Sequence, residues 1–235
     1  MLYAAGKGVP QDPPQALSLA KRAAKQQNPE GEAILGIFYI DGLGVSRNLP
    51  EGVKRLKKAV QEGSPTGQYV LGLLYATGQG VERNSQEAVG LFRLAAEQGV
   101  VQAQAALGQV YELGQGVPAD LNEAAMWYRQ AADQGDVDSA ARLGRIFLLG
   151  QAGERNVREA VKFLTLAADK GNAQAQFNLA RLYASGAGVT RDPRKAYSLF
   201  VLAGKTIDVS EELRKLSPQL EQDGSTASRR ATSVQ

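Results

Sequence analysis

Apolar side chains fall at helical rather than alternating spacing along this chain. Leu35, Phe38 and Tyr39 stand at i, i+3 and i+4, one stripe of a half-buried helix. The spacing predicts a helix, here helix A, over about 33–40, in the pattern small-x-Leu-Gly-x-apolar-Tyr. The pattern then returns with a fixed step of 36 residues. Tyr3, Tyr39, Tyr75, Tyr111 and Tyr183 share one grid, and Phe147 fills the gap. A glycine follows three residues later at Gly6, Gly42, Gly78, Gly114, Gly150 and Gly186. A second stands at Gly8, Gly44, Gly80, Gly116 and Gly188, with Ala152 as the exception. A glycine just past a helix takes the left-handed conformation without steric cost, so Gly-x-Gly-Val ends helix A.

A second helix, B, begins after an Asp or Asn in every copy: Asp12, Asn48, Asn84, Asp120, Asn156 and Asp192. These are N-caps, each contributing about 1 kcal/mol. Gln15, Glu51, Glu87, Glu123 and Glu159 lie three residues on and predict capping boxes, with Lys195 departing. Asn28, Ser64, Asp136 and Asn172 predict caps for the next helix A, with Val100 departing. Gly36, Gly72, Gly108 and Gly144 sit inside helix A, where glycine costs about 1 kcal/mol against alanine. Repetition of that cost predicts close helix–helix approach. The copies fall near 1–30, 31–66, 67–102, 103–138, 139–174 and 175–206.

With these residues in place, the chain resembles the Sel-one-like repeat family, of the tetratricopeptide class. The resemblance covers residues 2 to about 206, and its clearest copy runs from Ala105 to Gly135. It implies an all-α fold, a right-handed α-α superhelix (solenoid) of about six 36-residue helix-turn-helix repeats. The fourth copy reads Gly150-Gln151-Ala152-Gly153, so a locally altered turn is expected there. Val209, Leu213, Leu216 and Leu220 predict a capping helix over 207–221 with Ser210 as its N-cap. Polar residues 222–235 are read as a disordered tail. The start of the first helix A is missing, which predicts either a truncated capping unit or a chain beginning upstream of Met1.

Composition narrows the chemistry. The 235 residues include 26 glycines, about 11% against a usual figure of about 7%, and the repeat accounts for the excess. The absence of cysteine and histidine removes thiol nucleophiles, disulfides, the commonest general base and the commonest transition-metal ligands. No metal or cofactor is expected. Lys+Arg 27 against Asp+Glu 24 gives +3, without the basic stripe of a nucleic-acid protein. No apolar run is long enough to span a membrane. Compartment stays open: periplasmic or secreted with a signal peptide upstream of Met1, cytoplasmic otherwise.

Three motifs have structural readings that outweigh the chemical ones. Gly-x-Gly ends a helix here, whereas a dinucleotide fingerprint follows a strand. Ala203-Gly204-Lys205-Thr206 mimics a phosphate loop but has Leu199 where that motif needs glycine. The tyrosine column and Trp127 hold core phases of the repeat.

The resemblance further implies that helix A lines the concave face. Its free positions are Ile34, Ile37 and Ile40, then Val70 and Leu73, then Gln109 and Glu112, then Arg142 and Arg145, then Asn178 and Arg181. They run from apolar to basic. An apolar patch marks a partner site, and arginines suit carboxylates. The competing reading packs Ile34, Ile37, Val70 and Leu73 against a neighbouring helix. The expected function is a monomeric, non-enzymatic scaffold or adaptor holding a protein or peptide, with apolar residues at one end and acidic ones at the other. Bacterial relatives suggest an alternative, regulation of envelope or exopolysaccharide assembly. A beta-lactamase-like hydrolase, suggested by cysteine-rich relatives, is the remote one.

Overall fold

The computed structural model describes residues 12–153, 155–218 and 220. Among them are helices and turns and no strand. In chain order the helices are α1 (Pro13–Lys25), α2 (Pro29–Asp41), α3 (Leu49–Gln61), α4 (Pro65–Thr77), α5 (Ser85–Glu97) and α6 (Val101–Leu113). They continue as α7 (Leu121–Asp133), α8 (Val137–Leu149), α9 (Val157–Asp169), α10 (Ala173–Ser185) and α11 (Pro193–Ala203). A further helical stretch covers residues 210–218. Odd-numbered helices are the B helices and even-numbered ones the A helices. Helix A starts at its cap and so is longer than the 33–40 expected from the apolar stripe alone.

The chain forms two compact units that meet inside α7, one ending at Trp127 and one starting at Tyr128. In the first, each helix packs on the next from α1 to α6, and α2 also touches α4. In the second, α8, α9, α10 and α11 pack in succession, and α8 also touches α10. α3, α5 and α9 thus each pack between two A helices of neighbouring copies, which is how a repeat that cannot bury its own apolar stripe becomes stable.

Local chemistry sets these helices. All six Asx residues ahead of the B helices accept a backbone N–H from the first turn, as from Glu51 to Asn48 at 3.1 Å and from Glu123 to Asp120 at 3.2 Å. The capping boxes are only half formed. The N–H of the cap, which the box would give to the Glu side chain, goes instead to a carbonyl of the aromatic column. Asn48 donates to Tyr39 at 2.7 Å, Asn84 to Tyr75 at 2.9 Å, and Asn156 to Phe147 at 3.0 Å. This bond ties the turn back onto helix A and leaves the glutamates for other partners: Glu51 takes Arg55 at 2.7 Å and Glu159 takes Arg129 at 3.0 Å.

Asn28, Ser64, Asp136 and Asn172 cap the following A helices, whereas Val100 provides no side-chain bond. Gly42, Gly78, Gly114, Gly150 and Gly186 end the A helices in the left-handed conformation. In the fourth copy the second positive φ moves one place along, to Gly153 at +94°, the altered turn expected there.

Close approach explains the glycines inside helix A. A Cβ on Gly72 would stand 2.7 Å from the Phe92 ring, and one on Gly144 would stand 2.8 Å from Leu164. The aromatic column is half-buried, with Tyr111 buried, and its polar edges are covered by cations. Arg93 donates to the Tyr111 hydroxyl, and Lys195 donates to that of Tyr183 at 2.8 Å with its ammonium 4.2 Å from the ring centre. Arg129 lies over Phe147 and Phe163 at 5.3 and 5.1 Å. Trp127 is buried.

Residues 210–218 close the core of the last pair. Val209 and Leu216 are buried against Phe200, Ala196 and Ala203, and Leu213 packs beside them. The cap differs from expectation. Asp208, not Ser210, supplies the oxygen, accepting the Ser210 N–H at 3.0 Å. Its hydrogen bonds from Ser210 hold the Asp208 carboxyl below its ordinary value. Residues 1–11, on which the expectations for the first copy fall, and the tail expected at 222–235 lie outside the described residues.

Candidate functional site

The structure sorts the predicted face residues by what their helices leave uncovered. On the first unit, Ile40 belongs to the core. It is 7% exposed and packs with Val53, Leu56 and Leu71, because α3 crosses α2 at Gly52 and covers it. It is therefore corrected from a face residue to a packing residue. Ile34 is half-buried against Ala16, Leu17 and Ala20 of α1, and Val70 is half-buried against the cluster around Leu71. Both keep part of their surface, and Ile34 lines a cleft with Leu19 and Glu30. Ile37 is half-buried, while Leu73 and Gln109 are exposed. Glu112 is half-buried and has a partner. Leu113, one position beyond Glu112, is 54% exposed.

On the second unit, Arg142 is half-buried with its guanidinium 6.0 Å from the Tyr128 ring centre. Arg145 is half-buried and partnered too. Asn178 and Arg181, by contrast, reach one cleft of about 470 Å³ between the ends of α8 and α10. Leu148, Leu149, Leu182, Ser185, Ala187 and Arg155 complete its lining. Leu149 is 57% exposed. Arg181 packs its guanidinium 6.0 Å from the Phe177 ring centre. On its other side it borders a second cleft with Ala184, Phe200, Glu212, Lys215 and Leu216.

Reading helix A alone missed Arg155, which lies in the turn. The signal was present: Arg47, Arg83, Arg155 and Arg191 share one phase of the repeat. Their side chains go to different places. Arg47 donates its Nε–H to Ile40 O at 3.0 Å and Arg191 donates to Ala184 O at 3.1 Å, each closing the end of an A helix. Arg83 lines a cleft with Glu82 and Glu87.

Among the described residues no cluster of three or more metal-ligating side chains occurs, and no helix is long and apolar enough to cross a membrane. A Ser-x-x-Lys spacing occurs at Ser18-Leu19-Ala20-Lys21. Both polar residues are exposed on α1, a setting without the enclosure a serine nucleophile needs.

Comparison with known proteins bears on the 36-residue unit directly. The Sel1 repeat model matches residues 1–28, 29–64, 65–100, 101–136, 137–172 and 173–205. The chain belongs to the Sel1 repeat family. Its fold is the all-α helical solenoid of that family, and the matched units start at helix A. Among solved structures, this Sel1 chain is 36% identical to a protective antigen present in uropathogenic Escherichia coli strains, which displays an SLR fold, with a TM-score of 0.81. The match covers 94% of this chain and 47% of that one, so the chain spans about half the length of the antigen. A Sel1 repeat protein from Oxalobacter formigenes is 35% identical with a TM-score of 0.75, covering 88% of this chain and 84% of that one. No curated protein matches.

Proposed function

We propose that this Sel1 repeat protein is a non-enzymatic scaffold that binds a protein partner on the exposed faces of its A helices. The observation that carries this reading is the placement of Leu73 and Leu113 on the first unit, and of Leu149 beside Arg181 on the second. These large apolar side chains stay exposed, whereas at other phases of helix A Ile40 is buried and Ile34 and Val70 are half-buried by packing. Exposed apolar groups, one of them beside the exposed Arg181, suit a partner rather than solvent. Each anchored aliphatic side chain contributes about 1.5–3 kcal/mol, and the arginines add selectivity more than affinity.

Affinity capture followed by binding of the purified candidate tests the reading. L73D/L113D and L149D variants, shown by circular dichroism to be folded, are expected to lose the partner that the unchanged protein retains. Unchanged binding by all folded variants would remove the A-helix faces from the function.

A further inference from the structure

The cleft of the second unit has a lining unlike that of its neighbours. Its polar members are Arg155, Asn178, Arg181 and Ser185, and its apolar wall is Leu148, Leu149 and Leu182. No acidic side chain lines it among the described residues. The other clefts differ: the one beside Arg83 contains Glu82 and Glu87, and the one beside Lys215 contains Glu212. Arg155 and Arg181 are also without a carboxylate partner among the described residues, while Arg55 and Arg129 have theirs. Arg155 further differs from Arg47 and Arg191, whose guanidinium groups are engaged by an A-helix carbonyl.

Two fork-shaped donors and an amide line one concavity, while the Ser185 hydroxyl donates back to Arg181 O at 2.8 Å. Guanidinium groups without a counter-charge favour an incoming carboxylate, which they bind bidentately. The leucines beside them supply apolar area that a simple inorganic anion would leave uncovered.

We propose that this cleft receives an acidic segment of a protein partner, in which an Asp or Glu side chain docks on Arg155 and Arg181 and an adjacent aliphatic residue packs on Leu149 and Leu182. This rests on the scaffold reading above and names the partner chemistry of its second unit. The occupant matches the site in charge and in hydrophobicity. Arg181 anchors one end of the carboxylate, with Phe177 supporting its guanidinium from behind.

The test uses the full chain and a fluorescein-labelled peptide of alternating Glu and Leu with blocked termini, read by fluorescence anisotropy. Replacing Glu by Gln in the peptide, or making R155A or R181A in the protein, is expected to weaken binding about tenfold each. R83A, a cation in the same phase of the repeat, is expected to leave binding unchanged. Arg181→Lys keeps the charge but loses the fork and is expected to fall between. Thermal melts within a few degrees of the parent exclude unfolding as the cause. Equal binding of the Gln peptide, or indifference to both arginine variants, overturns the site. Binding only when the peptide carries a free C-terminus overturns the side-chain assignment. If the peptide fails while L73D/L113D still abolishes partner capture, the scaffold reading stands and this cleft falls.

Discussion

Glu32 of α2 lies 3.1 Å from Arg55 of α3, its carboxylate only 1% exposed while the guanidinium side chain reaches water. Lys58 closes the other oxygen at 2.5 Å. Elsewhere this phase of the repeat holds Gln68, Gln104 and Gln176, neutral amides that are also buried, and Ala140. Gln104 and Gln176 donate to Ala96 O and Ala168 O at 3.2 and 3.1 Å. The positions of Arg55 and Lys58 are Leu91 and Leu94 in the next copy. All three residues thus differ together, so a buried acid is matched by two cations in place of an apolar contact.

Removing only the acid leaves two cations side by side on one face of α3. E32A is expected to cost about 1–3 kcal/mol in urea unfolding, less than a fully buried pair because both cations can be rehydrated. The triple variant E32Q/R55L/K58L installs the Gln68, Leu91 and Leu94 pattern of the next copy. It is expected to unfold within about 1 kcal/mol of the parent or later. A triple variant as weak as E32A would show that the charges themselves are needed.

The same cluster predicts an acid-sensitive component of stability. Burial by itself raises the Glu32 pKa, but hydrogen bonds from Lys58 and Arg55 outweigh it and hold the carboxyl below its ordinary value. A carboxyl depressed on folding stabilises above its unfolded pKa, and that stability is lost as pH falls through the folded value. Melting temperature is therefore expected to fall on acidification below about pH 4.5, and to fall less steeply in E32Q. Identical acid limbs for the two proteins would contradict the assignment.

Two glycines in helices should respond oppositely to alanine. In G72A the new methyl meets the Phe92 ring at 2.7 Å, and overpacking of that kind costs about 1–3 kcal/mol. Gly90 in α5 has nothing within 4 Å of an added Cβ. G90A is expected to stabilise by about 0.5–1 kcal/mol through helix propensity. Chemical denaturation of both variants decides the point, and a stabilised G72A would mean that the helices can separate at low cost.

Caps should divide in the same way. N84A removes the oxygen that accepts from Gln86 and Glu87 and is expected to cost about 1 kcal/mol. E87A is expected to change stability by less than about 0.5 kcal/mol, because the Asn84 N–H is already held by Tyr75 O. V100N would install the missing cap of α6 and gain about 1 kcal/mol. An E87A loss equal to that of N84A would reinstate the reciprocal box.

The repeat length, the order of helices, the turn glycines and ten of the helix starts were legible from residue pattern alone, through Asx and Ser caps, left-handed glycines and i, i+3, i+4 stripes. These features arise within a few residues of chain, so residue type and spacing settle them. The candidate site was only partly legible. Leu73, Asn178 and Arg181 are where the helix-A phase puts them, but Ile40 has the same kind of phase and is covered by α3 at Gly52.

Tertiary structure alone decided which side chains are covered, which carboxylate is buried between cations, and that Arg155 enters a cleft while Arg47 closes a helix. Those outcomes depend on how far one helix stands from the next. Such distances come from packing between different helices, as between Ile40 and Gly52 or Glu32 and Arg55, beyond the reach of a local pattern.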